Sequence, residues 1–131
     1  MIGHFSDKKE EKSIILGDFN IAPLEHDVWS SKALRNIVSH TDIERERLAK
    51  LQLSANFIDC FRMFVPENEK LYSWWSYRSP NWEKADKGRR LDHIWSTPHL
   101  QNNIISSEVH KYTRGSEQPS DHALLVTEFD F

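Results

Sequence analysis

Apolar positions along this 131-residue chain fall into short runs separated by polar segments marked with proline or glycine. The first run, Ser13-Ile14-Ile15-Leu16, leads into Gly17-Asp18-Phe19-Asn20. It predicts a short buried strand over 14–19, with a carboxylate and a carboxamide presented just past its end. Pro23 blocks continuation, and 25–29 reads as a helical turn. The clearest helix is 42–56: Thr41 can cap it, Glu44 completes a capping box, and Glu44, Leu48, Leu51 and Ala55 share helical spacing. Ile43 and Leu53 are expected to widen its apolar face. Residues 57–65 read as an apolar turn or short helix ended by Pro66. Further strands are predicted over 71–77, 89–96, 104–112 and 123–129, the last of them buried. Residues 1–12 form a polar leader, 78–88 a polar excursion and 113–119 a loop. Strands that first alternate with helices and then follow one another predict an α/β (α+β) domain. Its sheet is expected to be single, mixed and mainly antiparallel, with helices on one face.

Composition narrows the class. At 38% hydrophobic and 28% charged residues, with a mean hydropathy of -0.66, the chain has the make-up of one globular domain. No apolar run approaches the ~18 residues of a membrane span, and no secretory h-region follows Met1. The single cysteine, Cys60, lies among Phe57, Ile58, Phe61, Met63 and Phe64, which points to a buried structural thiol and a cytoplasmic home. Net charge is -3, unlike that of a protein that coats nucleic acid without selectivity. Between residues 78 and 90, however, Arg78, Lys84, Lys87, Arg89 and Arg90 face only Glu83 and Asp86.

Three stretches carry candidate chemistry. Besides Asp18 and Asn20, Arg89-Arg90-Leu91-Asp92-His93-Ile94-Trp95 sets a carboxylate among apolar neighbours, where it needs a partner. Ser120-Asp121-His122 stands just before the last strand. Each alone reads equally well as a turn, a cap or a solvent-facing acid. Together they supply oxygen ligands and imidazole without thiols, a set suited to Mg²⁺ or Mn²⁺ and to phosphodiester hydrolysis. Asp18 can serve as base, Asn20 as a donor to phosphate, Asp121 as a metal ligand and His122 as a donor to a phosphate oxygen. Asp92 would orient His122. A serine hydrolase would use similar residue types, but no G-x-S-x-G elbow is present. The block Tyr72-Ser73-Trp74-Trp75-Ser76-Tyr77-Arg78 adds π-surfaces next to cations, as a nucleic-acid contact would.

In order, Gly17-Asp18-Phe19-Asn20, Tyr72 to Arg78, Arg90-Leu91-Asp92-His93-Ile94 and Ser120-Asp121-His122 resemble the exonuclease III family of apurinic/apyrimidinic endonucleases. The resemblance covers residues 13–131 and only the C-terminal half of such proteins, which are four-layer sandwiches of two sheets. It implies a Mg²⁺- or Mn²⁺-dependent DNA-repair nuclease acting on duplex DNA at abasic sites and 3′ ends. The implied catalytic set is Asp18, Asn20, Asp92 and His122, and the implied metal set Asp18, Asn20, Asp121 and His122. The implied DNA contacts are Trp74, Tyr77, Arg78, Arg90, Leu91 and His122, with Trp74 and Leu91 walling a sugar pocket. The family's metal-binding glutamate has no counterpart in 1–12, so a missing N-terminal half or self-association is a further expected partner. An inactive fragment that keeps weak DNA or metal affinity, or a phosphoesterase with another substrate, are the alternatives.

Overall fold

The computed structural model describes residues 12–76, 78, 81–111 and 120–131. Most of the expected leader, the 113–119 loop and the expected DNA contact Tyr77 lie outside the described residues.

Strand β1 (Ile14–Asp18) is followed by a 3-10 turn (Glu25–Asp27), the short helix α1 (Ser31–Leu34) and the longer helix α2 (Asp42–Ser54). Strand β2 (Ile58–Asp59), helix α3 (Trp82–Ala85), strand β3 (Asp92–Ser96) and a 3-10 stretch (Pro98–Asn103) come next. Strands β4 (Ile104–His110) and β5 (Leu124–Phe129) complete the order. β3 is the centre of a three-stranded ladder, β1-β3-β2, in which both partners run antiparallel to it. β4 and β5 pair antiparallel as a second ladder. The expected α+β, mainly antiparallel class is therefore what is found, with its pairing divided into two ladders.

Helix α2 begins as expected, because Thr41 Oγ1 accepts from the Glu44 amide at 3.3 Å while Glu44 Oε1 accepts from the Thr41 and Ser39 amides. Its apolar face is narrower than expected. Leu48 is buried, whereas Ile43 and Leu53 are 62% and 71% exposed. Each lies five residues from Leu48, which is about 140° around the helix and turned to solvent.

Four other segments depart from the sequence pattern. Over 71–76 no ladder forms, since the backbone partners change from residue to residue: Trp74 bridges both Arg89 and His122, and the Trp75 amide donates to Asp121. The segment stitches the stretch before β3 to the stretch before β5. Residues 57–65 begin with β2 and continue as turns in which Asp59 Oδ1 accepts from the Phe61 and Arg62 amides. β1 and β5 are half-buried and not fully buried, with Leu16 and Leu124 more than half exposed while Ile15 and Leu125 pack inward.

Three apolar clusters form the core. Cys60, Phe61, Leu71, Ile94 and Ile104 make one; Ala22, Val28, Leu34 and Leu91 a second; Leu48, Ala55, Phe57 and Trp95 the third. Burial pushes the Cys60 thiol up to about 11, which keeps it protonated and inert. Among the described residues no helix is long and apolar enough to cross a membrane.

Candidate active site

The β1–β3 register sets Asp18 directly opposite Asp92, at the shared end of the two strands. Past that end Asn20 takes a left-handed backbone (φ 56°), and its amide donates to Asp18 Oδ1 at 2.9 Å. This tight Asx turn lets the chain leave the sheet while keeping the carboxylate at its edge. The stitching segment brings His122 to the same place through its bridge to Trp74.

Asp92 Oδ2 accepts from His122 Nδ1 at 2.7 Å. The same oxygen accepts from the hydroxyl of Ser73 at 2.7 Å, and Ser73 Oγ in turn accepts from the amides of Leu91 and Asp92. With Nδ1 committed, His122 Nε2 faces the carboxylates of Asp18 (3.6 Å) and Asp121 (3.8 Å). Burial works against a charged ring here, but the hydrogen bond to Asp92 and the charges of Asp92, Asp18 and Asp121 raise the His122 pKa above its ordinary value. Asp121 Oδ2 accepts from Trp74 Nε1 at 2.9 Å, which ties this carboxylate to the aromatic block. Ligand atoms of Asp18, Asp92 and His122 all lie within 4.8 Å of one another, close enough to surround one cation. Hard carboxylate oxygens with one imidazole fit a divalent cation of the Mg²⁺ or Mn²⁺ type. Asp121 faces the same imidazole at 3.8 Å but is not one of the three residues whose ligand atoms meet within 4.8 Å.

The expected DNA contacts separate into two groups. Trp74 and Arg78 line an open cavity of about 500 Å³ together with Trp29, Trp82, Lys87 and Arg89. Arg90, by contrast, is 1% exposed and cannot reach DNA. Its guanidinium is held between Asp59 (2.8 Å) and Asp27 (2.9 Å), and Arg62 completes the network on Asp27 at 2.6 Å. Burial of Arg90 is outweighed by the two carboxylates, which raise its pKa. Leu91 is also turned inward, packed with Ala22, Val28 and Leu34 behind Trp74, and so backs the indole without lining the cavity. Sequence reasoning missed Ser73, a buried serine between two large aromatics. It also missed Asp27, whose carboxylate is fully buried. Alternation along 71–77 put Ser73 on the face opposite Trp74, but only the tertiary fold shows that this face meets Asp92.

Asp18, Asp92 and His122 meet at the shared end of β1 and β3 with Asp121 beside the imidazole, an arrangement that metal-assisted phosphoester chemistry can use. Comparison with known families agrees: residues 2–122 match the Endonuclease/Exonuclease/phosphatase family, and the chain belongs to it. An exodeoxyribonuclease of Bacillus subtilis is 33% identical over 118 residues, covering 89% of this chain and 46% of that protein. Exodeoxyribonuclease III of Haemophilus influenzae is 28% identical, with 95% and 49% covered. Among solved structures, an AP endonuclease from Archaeoglobus fulgidus superposes with a TM-score of 0.92 at 30% identity, covering 99% of this chain and 51% of that one. The 3′ phosphatase NExo from Neisseria, bound to a product DNA hairpin, gives 0.89 at 30% identity, with 99% and 50% covered. The chain spans about half the length of the curated relatives it matches.

Proposed function

We propose that residues 13–131 correspond to the C-terminal half of an exonuclease III-type DNA-repair nuclease. Its reaction is hydrolysis of phosphodiesters in duplex DNA at abasic sites and 3′ ends. The observation that carries this reading is the Asp92–His122 hydrogen bond, which leaves Nε2 directed at Asp18 and Asp121. Nδ1–H donates to Asp92, so the imidazole is fixed in orientation and kept basic, and when protonated its Nε2–H can donate to a non-bridging phosphate oxygen. Asp18, 3.6 Å from that nitrogen, accepts a proton from the attacking water. The Asn20 carboxamide follows Asp18 on the turn and serves as a further donor to phosphate. Asp18, Asn20 and Asp121 would hold the cation, and His122 would join them only in its neutral form, when Nε2 is free of its proton. A bound divalent cation supplies neutralisation of the phosphate charge. Trp74 and Arg78 contact the DNA beside this centre, and the reducing cytoplasm suits the buried free thiol of Cys60.

The test is cleavage of a labelled duplex carrying one abasic site, with and without Mg²⁺, beside Asp121→Ala and His122→Ala. Metal-dependent cutting that both substitutions abolish is the expected result. Absence of cutting by the chain alone and after addition of the remaining half of the family fold would overturn the reading.

A second reading is favoured by the small donor set: among the described residues three surround the point, which leaves the rest of an octahedral Mg²⁺ shell to water, substrate or another chain. On it, the chain cuts only when another half or a second copy completes the coordination. Cutting by the monomeric chain at a rate independent of its concentration would dispose of that reading.

A further inference from the structure

Helix α3 ends at Asp86, whose backbone is left-handed (φ 50°) and whose amide donates to the Trp82 carbonyl at 2.9 Å. Glycine or asparagine would take that conformation as readily, so the turn itself has no need of a carboxylate. The carboxylate is nevertheless largely buried, and three donors converge on it. Trp75 Nε1–H and Lys111 Nζ reach Oδ1 at 3.0 and 3.4 Å, and Lys70 Nζ donates to Oδ2. Burial would raise the Asp86 pKa, but the hydrogen bonds from Lys70 and Trp75, with the charges of Lys111 and Lys70, hold it below the ordinary carboxylate value. The ties therefore persist at neutral pH.

Each donor comes from outside the 82–89 stretch. Trp75 is buried in the stitching segment, Lys70 stands just before Leu71, and Lys111 directly follows β4. Lys111 Nζ also lies 5.3 Å from the Trp75 ring centre and 5.6 Å from that of Trp82, and the two rings are 5.3 Å apart. The stretch is thus fastened at its start by the Trp82 ring and in its middle by Asp86. Directly beyond lie Lys87, with Nζ 4.7 Å from the Trp29 ring centre, and Arg89, whose guanidinium is 5.4 Å from that of Trp74. Trp74 in turn bonds Asp121 of the candidate active site. We propose that Asp86 is a positioning residue for DNA binding, which holds Lys87 and Arg89 in place beside the catalytic residues through its ties to Trp75, Lys70 and Lys111. The proposal rests on the nuclease reading above and adds to it a residue that touches neither phosphate nor metal. Cations already fixed in place avoid the ordering cost of long side chains on a loose loop.

Steady-state cleavage of a duplex carrying one abasic site, by the full chain in Mg²⁺, tests this with two variants. Asp86→Gly keeps the left-handed backbone and removes all three ties, and Asp86→Asn keeps an acceptor for the indole. On charge alone, loss of a carboxylate beside DNA would tighten binding, so the positioning role predicts the opposite sign. Asp86→Gly is expected to raise KM by about tenfold, the scale of leaving two long side chains unordered, with kcat within about twofold. Asp86→Asn, with the same change in charge, should fall between. A lower KM in Asp86→Gly, an unchanged one, or a loss confined to kcat would overturn the proposal. Limited digestion by trypsin at Lys84 and Lys87 reads the loop without DNA, and Asp86→Gly should be cut there at least roughly tenfold faster. Equal rates of digestion would likewise overturn it. If the chain cleaves no DNA in any variant while digestion differs, the nuclease reading fails and the hold of Asp86 on the loop stands.

Discussion

Ser73 donates its hydroxyl proton to the same oxygen of Asp92 that receives His122 Nδ1–H, and both bonds are 2.7 Å long. Two donors on one oxygen fix the carboxylate in rotation as well as in position. The serine is fully buried and anchored by two backbone amides, so it passes the rigidity of the backbone to a histidine that is partly open to solvent.

Ser73→Ala should lower kcat on a cleavable DNA substrate by about 10-fold or more while leaving KM within a factor of two, by analogy with lost orienting contacts. Ser73→Thr, which keeps the hydroxyl, should recover most of it. Steady-state kinetics with thermal melts of both variants would check this. Equal loss in both would mean that the site needs the volume of serine and not its hydrogen bond.

Arg90 is a structural cation. Replacing it by Met leaves Asp59 without its guanidinium and Asp27 with Arg62 alone, so a loss of about 3–5 kcal/mol of stability is expected. Urea denaturation reads this directly. Arg78→Ala, by contrast, should leave stability within about 0.5 kcal/mol and reduce the salt dependence of DNA binding by roughly one phosphate contact.

His93 is buried, stacked 5.2 Å from the Phe19 ring, and its Nε2–H donates to the Ile21 carbonyl at 2.8 Å. Burial, helped by the charge of Arg90, pushes its pKa down to about 4 from the usual 6.5. Between those values the unfolded chain binds the proton that the folded chain refuses. Stability is therefore complete above pH ~6.5 and falls as the pH drops toward 4, by about 3 kcal/mol from this group. Denaturant midpoints measured from pH 4 to 8 should carry this contribution, and His93→Gln should make stability fall less steeply from pH 6.5 to 4 than in the unaltered chain.

Gly88 has no room for a side chain. A Cβ there would sit 2.6 Å from Cδ2 of Tyr72 and 2.7 Å from its Cβ, a contact that only a shift of the ring's own backbone could relieve. Gly88→Ala should cost about 1–3 kcal/mol and displace the loop carrying Lys87 and Arg89, seen as weaker DNA binding as well as a lower Tm.

What could be read in the chain beforehand follows from the range of each interaction. The strand ending at Asp18 and the capping box of α2 depend on neighbours a few residues away, and both are found where local pattern puts them. Arg90 departs from its local pattern for the converse reason. In a local count it belongs to a basic stretch, yet its partners Asp27 and Asp59 lie 63 and 31 residues away. Ser73, between Tyr72 and Trp74, carries no signal in the sequence until Asp92 is placed against it. The 71–77 segment has the alternation of a strand, but alternation does not say whether one neighbouring strand will accompany it along its length.

The central place of β3 also sets the order in which the molecule can assemble. Ile14 pairs with Ser96 and Ile58 with the same residue, so neither β1 nor β2 has a partner until the chain has been made as far as β3. Closing such long loops is costly before contacts repay it. The same late step delivers Arg90 to two carboxylates that would otherwise wait in water. A nascent chain stalled short of residue 96 would thus hold α2 as its principal regular element and expose Ile15 of β1 and Ile58 of β2, without their β3 partners, to chaperones.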